Sequence, residues 1–334
     1  MPPIRTALTA LALLLGHAAT AIAQTPGCTG KNIVDELKST DAKAHARILA
    51  AAKATENANA ILWRIEKAGV PTSYLFGTMH LTDDRINSLS PAVRSALSGA
   101  RRVALEIDDF SSTKLLALLL RSRELVMFTD GRRLEQLLSA DEYKKVAESL
   151  SRTGVPGAVA RFFRPWVATL LMALSDCERR RLGEGQLPLD MRLARDAKQR
   201  GTPVAGLETL DEQFRAMASV PEVDQIEILK AGLRVYDRID DVIETLIQLY
   251  LSRQLGAIWP MQLALAEKVG ISPKVFDSAE QSLLTTRNLV MRDKAAPMLA
   301  EGAAFIAVGA LHLPGKQGLV TLIRQAGYKV TAVE

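Results

Sequence analysis

The sequence predicts an α/β fold, or α+β, with a sheet core built from both chain ends and a large helical insertion at about residues 112–300. Three observations carry this. Strand-like apolar runs cluster towards the two ends, at 61–80, 101–108 and 303–313, with one more at 203–208. Most of the chain between 112 and 300 has helical spacing. A helix-then-strand unit, LPLDMRLARDAKQRGTPVAGLETL (187–210), interrupts those helices.

Each element has its own signal. Residues 31–58 are rich in Ala, Lys and Glu at helical spacing, and His45 among them reads as an exposed surface residue. ILWRIEKAG (61–69) alternates as a strand, VPTS reads as a turn, and SYLFGTMH (73–80) reads as the returning strand of a hairpin. Ser90 then Pro91 mark a helix start, and RRVALEID (101–108) is a third strand ending in acidic residues. LLALLLRSRELVMF is apolar but interrupted by Arg121, Arg123 and Glu124, which suits a buried helix or a groove wall. LEQLLSADEYKKVAESLSRTG (134–154) is amphipathic and stops at Gly154, and Pro165 opens the next helix. Long amphipathic helices follow over 222–268, with breaks at Gly256 and Pro260, and again over 279–299. The chain closes with the strand AAFIAVGALHL, a Pro- and Gly-containing loop, the helix LVTLIRQAG and the strand YKVTAV.

The N-terminus has the marks of a targeting segment. Arg5 precedes an apolar run, and Ala21-Ile22-Ala23 is a small-x-small cleavage pattern, so Met1–Ala23 reads as a signal peptide and residues 24–334 as one domain. That places the chain outside the cytoplasm, in the periplasm of a Gram-negative source, with no transmembrane segment after cleavage. Cys28 and Cys177 are then a disulfide candidate in an oxidising compartment, and their spacing excludes a Cys-ligated zinc. The formal charge of +5 is dispersed. RRVALE and CERRRLGEG carry no interleaved aromatics, so nucleic acid is not a partner.

The chemistry concentrates in a repeated phrase. Two strand-like runs end in Gly-x-x-His-Leu, placing Gly77 with His80 and Gly309 with His312. The chain has 4 histidines and 21 glycines. Two of three histidines beyond the leader carrying Gly at i−3 is roughly a one-in-a-hundred coincidence, which favours one shared site. A glycine at a strand end lets the backbone turn or a ligand approach, and the histidine projects where open α/β sheets bind ligands. Two imidazoles suit Zn, Mn, Co or Fe, and a catalytic metal takes a third protein ligand. Glu106, ending the strand after the first motif, is the best carboxylate for that place. Asp108 and Asp109 are alternates, and Asp83 and Asp84 read as capping or loop residues. Glu208 ends PVAGLE and is a candidate base or supporting partner.

At these residues the chain resembles the TraB/PrgY/GumN family, which includes the Tiki proteases. FGTMH, VALEID and VGALH match its two Gly-x-x-His motifs and intervening glutamate in kind and order. FRPWVATLL, LPLDMRLARDAKQRGTPVAGLET and TTRN match further segments, over roughly residues 58–334, most like the bacterial periplasmic branch. Two departures are Pro188 where the family often has the Gly of Gly-x-Asp, and YLSRQLGAIWPM, which lacks a Gly-Asp. The resemblance implies a metal-dependent hydrolase, most simply a peptidase acting on a peptide or protein substrate. Its divalent metal would be Mn, Co or Zn. It implies His80, His312 and Glu106 as metal and catalytic residues, Glu106 or Glu208 as base, and Arg287 as a stabiliser of an oxyanion or a substrate carboxylate. Two other readings keep the same fold: a non-catalytic peptide- or pheromone-binding protein, and a haem- or iron-binding protein.

Overall fold

The computed structural model describes residues 28–108 and 111–334, apart from the side chains of Ser112, Leu115 and Leu116. The signal-peptide reading of Met1–Ala23 and the alternate Asp109 lie outside the described residues. Six strands form one mixed sheet: β1 Leu62–Lys67, β2 Val70–Thr78, β3 Arg102–Leu105, β4 Val204–Gly206, β5 Ala304–Gly309 and β6 Lys329–Ala332. Their order is β4-β3-β5-β2-β1-β6. The first four of these run parallel, and β1 is antiparallel to both β2 and β6. The sheet is therefore made from both chain ends, as expected of the α/β class, with the strand 204–206 as its far edge.

Alternating side chains send the sheet into two cores. Val103, Leu105, Phe76, Phe305 and Ala307 pack on one face against the helices Ile33–Thr40, Ala42–Ala54, Pro91–Ser98, Leu189–Gln199 and Ile239–Leu251. Ala104, Leu75, Ile306 and Val308 pack on the other against Thr286–Glu301 and Leu319–Gln325. The helices Ala140–Ser151, Pro165–Met172 and Glu222–Val235 hold a core of their own, with Leu134, Val146, Leu150, Met172, Leu229 and Leu233 at its centre.

Three local readings change. The hairpin turns at Ala68-Gly69, where Lys67 pairs with Val70 and Gly69 takes φ +76°, so VPTS belongs to β2. Only a glycine takes that conformation cheaply. The amphipathic helix starts at Ala140 rather than 134, because Ser139 and Glu142 form a reciprocal capping box. Pro260 does not break its helix: it is the third residue of Ile258–Lys268, inside the first turn, where no N–H is needed. Among the described residues, no helix is long and apolar enough to cross a membrane.

Candidate functional site

Strand order sets the site. β2 and β5 are parallel neighbours with Gly77 opposite Val308 and Thr78 opposite Gly309. β5 neighbours β3 in the same direction, and β3 neighbours β4. Beyond the strand ends the pairing continues, with the Glu208 N–H donating to the Glu106 carbonyl at 2.8 Å. The carboxyl edge of the sheet therefore presents Glu208, Glu106, His312 and His80 side by side, the end at which open parallel sheets bind ligands.

Each imidazole is held by its Nδ1. His80 Nδ1 lies 2.7 Å from Asp190 Oδ2, and the other Asp190 oxygen accepts from Thr78 Oγ1. His312 Nδ1 lies 2.7 Å from Asn288 Oδ1, and the Asn288 amide nitrogen donates to the Gln317 carbonyl at 2.8 Å. That donation turns the amide oxygen to His312, so its Nδ1 carries the proton and its Nε2 faces Glu106. The two rings differ in setting. His312 is 3% exposed, and burial pushes its pKa down to about 4, so it is neutral at pH 7. His80 keeps 60% of its side chain open, and the Asp190 carboxylate pushes it up to about 9.

Glu106 is buried beside His312. Its Oε1 accepts the Gly309 N–H at 2.6 Å and lies 3.6 Å from His312 Nε2. Its Oε2 accepts from Arg287 Nη2 at 2.7 Å and Gln213 Nε2 at 3.2 Å. Burial works against its charge; the facing His312, His80 and Arg287 outweigh it and hold the carboxyl at about 2. Because His312 is neutral, the full cations in that set are Arg287 and His80.

Arg287 is tied on three sides. Its Nε donates to both Glu208 oxygens at 3.1 and 3.0 Å, its Nη2 also reaches Glu208 Oε2 at 2.6 Å, and its Nη1 donates to the Leu283 carbonyl at 3.0 Å. Gln281–Thr285 form a π turn just before Arg287, a wide turn often found at functional sites.

The two motif glycines do different jobs. A Cβ on Gly309 would lie 3.0 Å from Glu106 Oε1, 3.5 Å from His80 Nε2 and 3.6 Å from His312 Cδ2. Its φ of −51° suits any residue, so it is glycine for space. A Cβ on Gly77 would instead press on Ala310 Cα and Leu313 Cδ2 at 3.1 Å, and the Gly77 carbonyl accepts the Tyr250 hydroxyl at 2.8 Å. Gly77 is glycine for packing.

The donor chemistry fits a divalent cation: two imidazoles fixed through Nδ1, the usual support of a metal-ligating histidine, and one ionised carboxylate turned towards the same glycine-cleared space. Among the described residues, no three His, Cys, Asp or Glu side chains are close enough as they stand to enclose an ion. Asp108 lies outside the set and pairs with Lys114 at 3.7 Å. Asp83 caps the short helix Asp84–Asn87 and pairs with Arg85 and Arg181, while Asp84 is exposed. Cys28 and Cys177 are joined in a disulfide with Cα atoms 5.6 Å apart. Asp190, Asn288, Thr78 and Gln213 were not among the sequence candidates. Asp190 and Asn288 lie in the LPLDMRL and TTRN segments but carry no spacing that marks them as histidine partners.

The chain is 22% identical to metalloprotease TIKI2 of Xenopus tropicalis over 324 residues, and 24% identical to metalloprotease TIKI2 of Danio rerio over 319. These matches cover 83% and 81% of this chain, and each spans only 60% of the TIKI2 protein. It is also 24% identical to the uncharacterized protein YbaP of Escherichia coli K12 over 252 residues, 75% of this chain and 87% of YbaP. No solved structure matches the chain significantly. The TraB/PrgY/gumN family model matches residues 61–332, which include every residue of the site described above, and the chain belongs to that family.

Proposed function

We propose that this chain is a metal-dependent hydrolase that cleaves peptide bonds in a peptide or protein substrate. One observation carries the reading most: His80 and His312, each with Nδ1 bound by a partner, turn towards Glu106 at the space that Gly309 leaves clear. The metalloprotease names of the TIKI2 relatives support it.

The Nε2 atoms of His80 and His312 and the Glu106 carboxylate would hold the cation. Bound there, a divalent ion supplies Lewis acidity and a water of lowered pKa. His80 would give up its Nε2 proton to become a ligand, so loading would release a proton. Glu106 would take a proton from the water as its oxygen bonds the carbonyl carbon, and would return it to the leaving amine as the C–N bond breaks. Both Glu208 oxygens are spent on Arg287, so Glu208 positions Arg287 and, through it, Glu106. Arg287 retains an Nη1 hydrogen beyond these contacts for a developing oxyanion. The Cys28–Cys177 disulfide supports a working place outside the cytoplasm, in the periplasm of a Gram-negative source.

The test is metal analysis of the purified protein and of His80→Ala plus His312→Ala, followed by a peptide-library digest with Mn, Co or Zn. The wild type should bind one divalent ion and cleave; the double variant should do neither. Equal metal content in both proteins would overturn the metal reading. Metal binding without cleavage would move the chain to the peptide-binding alternative. Glu106→Gln should lose metal and activity together, whereas Glu208→Gln should keep the metal.

A further inference from the structure

A groove of about 580 Å³ opens directly beside the site. Its inner end is Asp190, the same carboxylate that holds His80 Nδ1. Part of its wall is Ile107, the residue after Glu106. The groove thus adjoins the site through the carboxylate that holds His80 and the residue that follows Glu106.

One wall is the helix Leu189–Gln199. Leu193 and Ala197 bury its other face in the core, leaving Asp190, Met191, Ala194, Arg195 and Lys198 along the groove. The spacing orders the chemistry: a carboxylate next to the site, an apolar middle of Met191 and Ala194 joined by Leu187, then two cations. From Asp190 to Lys198 the helix rises about 12 Å. An extended peptide advances about 3.3 Å per residue, so Arg195 lies about two residues and Lys198 three to four residues beyond the position at Asp190.

The outer end is positive. Lys198 Nζ bonds the Asp108 backbone carbonyl at 3.3 Å, no carboxylate among the described residues pairs with it, and the Asp108 carboxylate is countered by Lys114. Arg195 is exposed and, among the described residues, pairs with its half-buried sequence neighbour Asp196, a surface contact of little strength in water.

We propose that this groove is a substrate subsite. It receives an extended peptide segment with an apolar side chain at Met191 and Ala194. An anionic group, either an acidic side chain or a free α-carboxylate, meets Arg195 and Lys198 two to four residues beyond the position at Asp190. This rests on the hydrolase reading, and it names the substrate class of that same site.

The experiment uses fluorescent peptides with an apolar residue followed by Glu, by Lys, by an amidated terminus or by a free terminus. Anisotropy is measured on metal-free protein and cleavage on protein loaded with Mn, Co or Zn, for wild type, Arg195→Glu plus Lys198→Glu, and Ala194→Trp. Circular dichroism checks that both variants fold. The wild type should favour the anionic peptides at least tenfold over the Lys peptide, the charge swap should reverse that order, and the tryptophan should weaken all of them. The Glu and free-terminus arms distinguish the two sources of the anion. Cleavage without this preference, or an order unmoved by the swap, overturns the subsite and leaves the hydrolase reading intact. Binding with the preference and its reversal, but no cleavage under any metal, sinks the hydrolase reading and keeps the groove. Absence of binding in every arm overturns the subsite.

Discussion

Replacing Arg287 by methionine removes the cation from between two buried carboxylates. Glu106 is 5% exposed and Glu208 4%, and Arg287 is the guanidinium bonded to both. In the folded protein the Glu106 carboxyl sits at about 2, against about 4.3 in an unfolded chain. Its contribution is therefore present above pH 4.3 and is lost as the pH falls towards 2; in full it is worth roughly 3 kcal/mol. In Arg287→Met one of the groups that holds Glu106 ionised is gone, so its carboxyl rises from about 2 towards the unfolded value and the contribution shrinks. The loss is therefore largest above pH 4.3 and fades as the pH falls from there towards 2. Breaking a buried pair in this way costs about 3–5 kcal/mol at pH 7. The assay is urea unfolding followed by tryptophan fluorescence, in EDTA so that no ion is bound, at pH 7 and pH 3. The variant should lose about 3–5 kcal/mol at pH 7 and clearly less at pH 3, where the wild type has itself lost about half of the Glu106 contribution. Adding Glu208→Gln should restore part of the loss. An identical loss at both pH values, or one under about 1 kcal/mol, would refute the argument.

Gly309→Ala should leave stability within about 1 kcal/mol, since its φ is ordinary, yet weaken divalent-metal binding at least tenfold in calorimetry, because the new Cβ lies 3.0 Å from Glu106 Oε1. Unchanged affinity would show that the space at Gly309 is not where the ion goes. Cys28→Ser plus Cys177→Ser opens a loop spanning 149 residues and should cost about 4–5 kcal/mol by loop-closure entropy, read as a lower urea midpoint. The same variant should speed hydrogen exchange at the Thr82 amide. Glu178, next to Cys177, accepts both the N–H and the hydroxyl of Thr82, two residues past His80. Tyr250→Phe should cost about 1–2 kcal/mol in the same unfolding assay, because the Gly77 carbonyl loses its buried donor.

Much of the fold was legible because strands and helices announce themselves locally. The alternation in ILWRIEK, the Ser90-Pro91 start and the apolar run AAFIAVG each needed only a short window, and each became the expected element. Local errors came where one residue's backbone preference outweighed the pattern around it, as Gly69 did for the hairpin turn and the Ser139 box did for the helix start. The candidate site was legible in part for a related reason. His80, Glu106, Glu208 and His312 all lie just past a strand, so a strand-end reading could find them without knowing their neighbours. Asp190 could not be found that way, since it meets His80 across 110 residues of chain from a helix with no histidine-like signal. The π turn before Arg287 was equally silent.

By itself, then, the amino-acid order determined the twin Gly-x-x-His motifs, the strands that end in them and the carboxylates that end their neighbours. Tertiary structure alone decided the order β4-β3-β5-β2, which sets four strand ends in a row, the partner of each imidazole, and the different tasks of Gly77 and Gly309. The physical reason is range. A strand is specified by alternation over a few residues, whereas the neighbour it takes depends on which long-range pairing buries the most apolar surface and satisfies the most buried polar groups, a property of the whole chain.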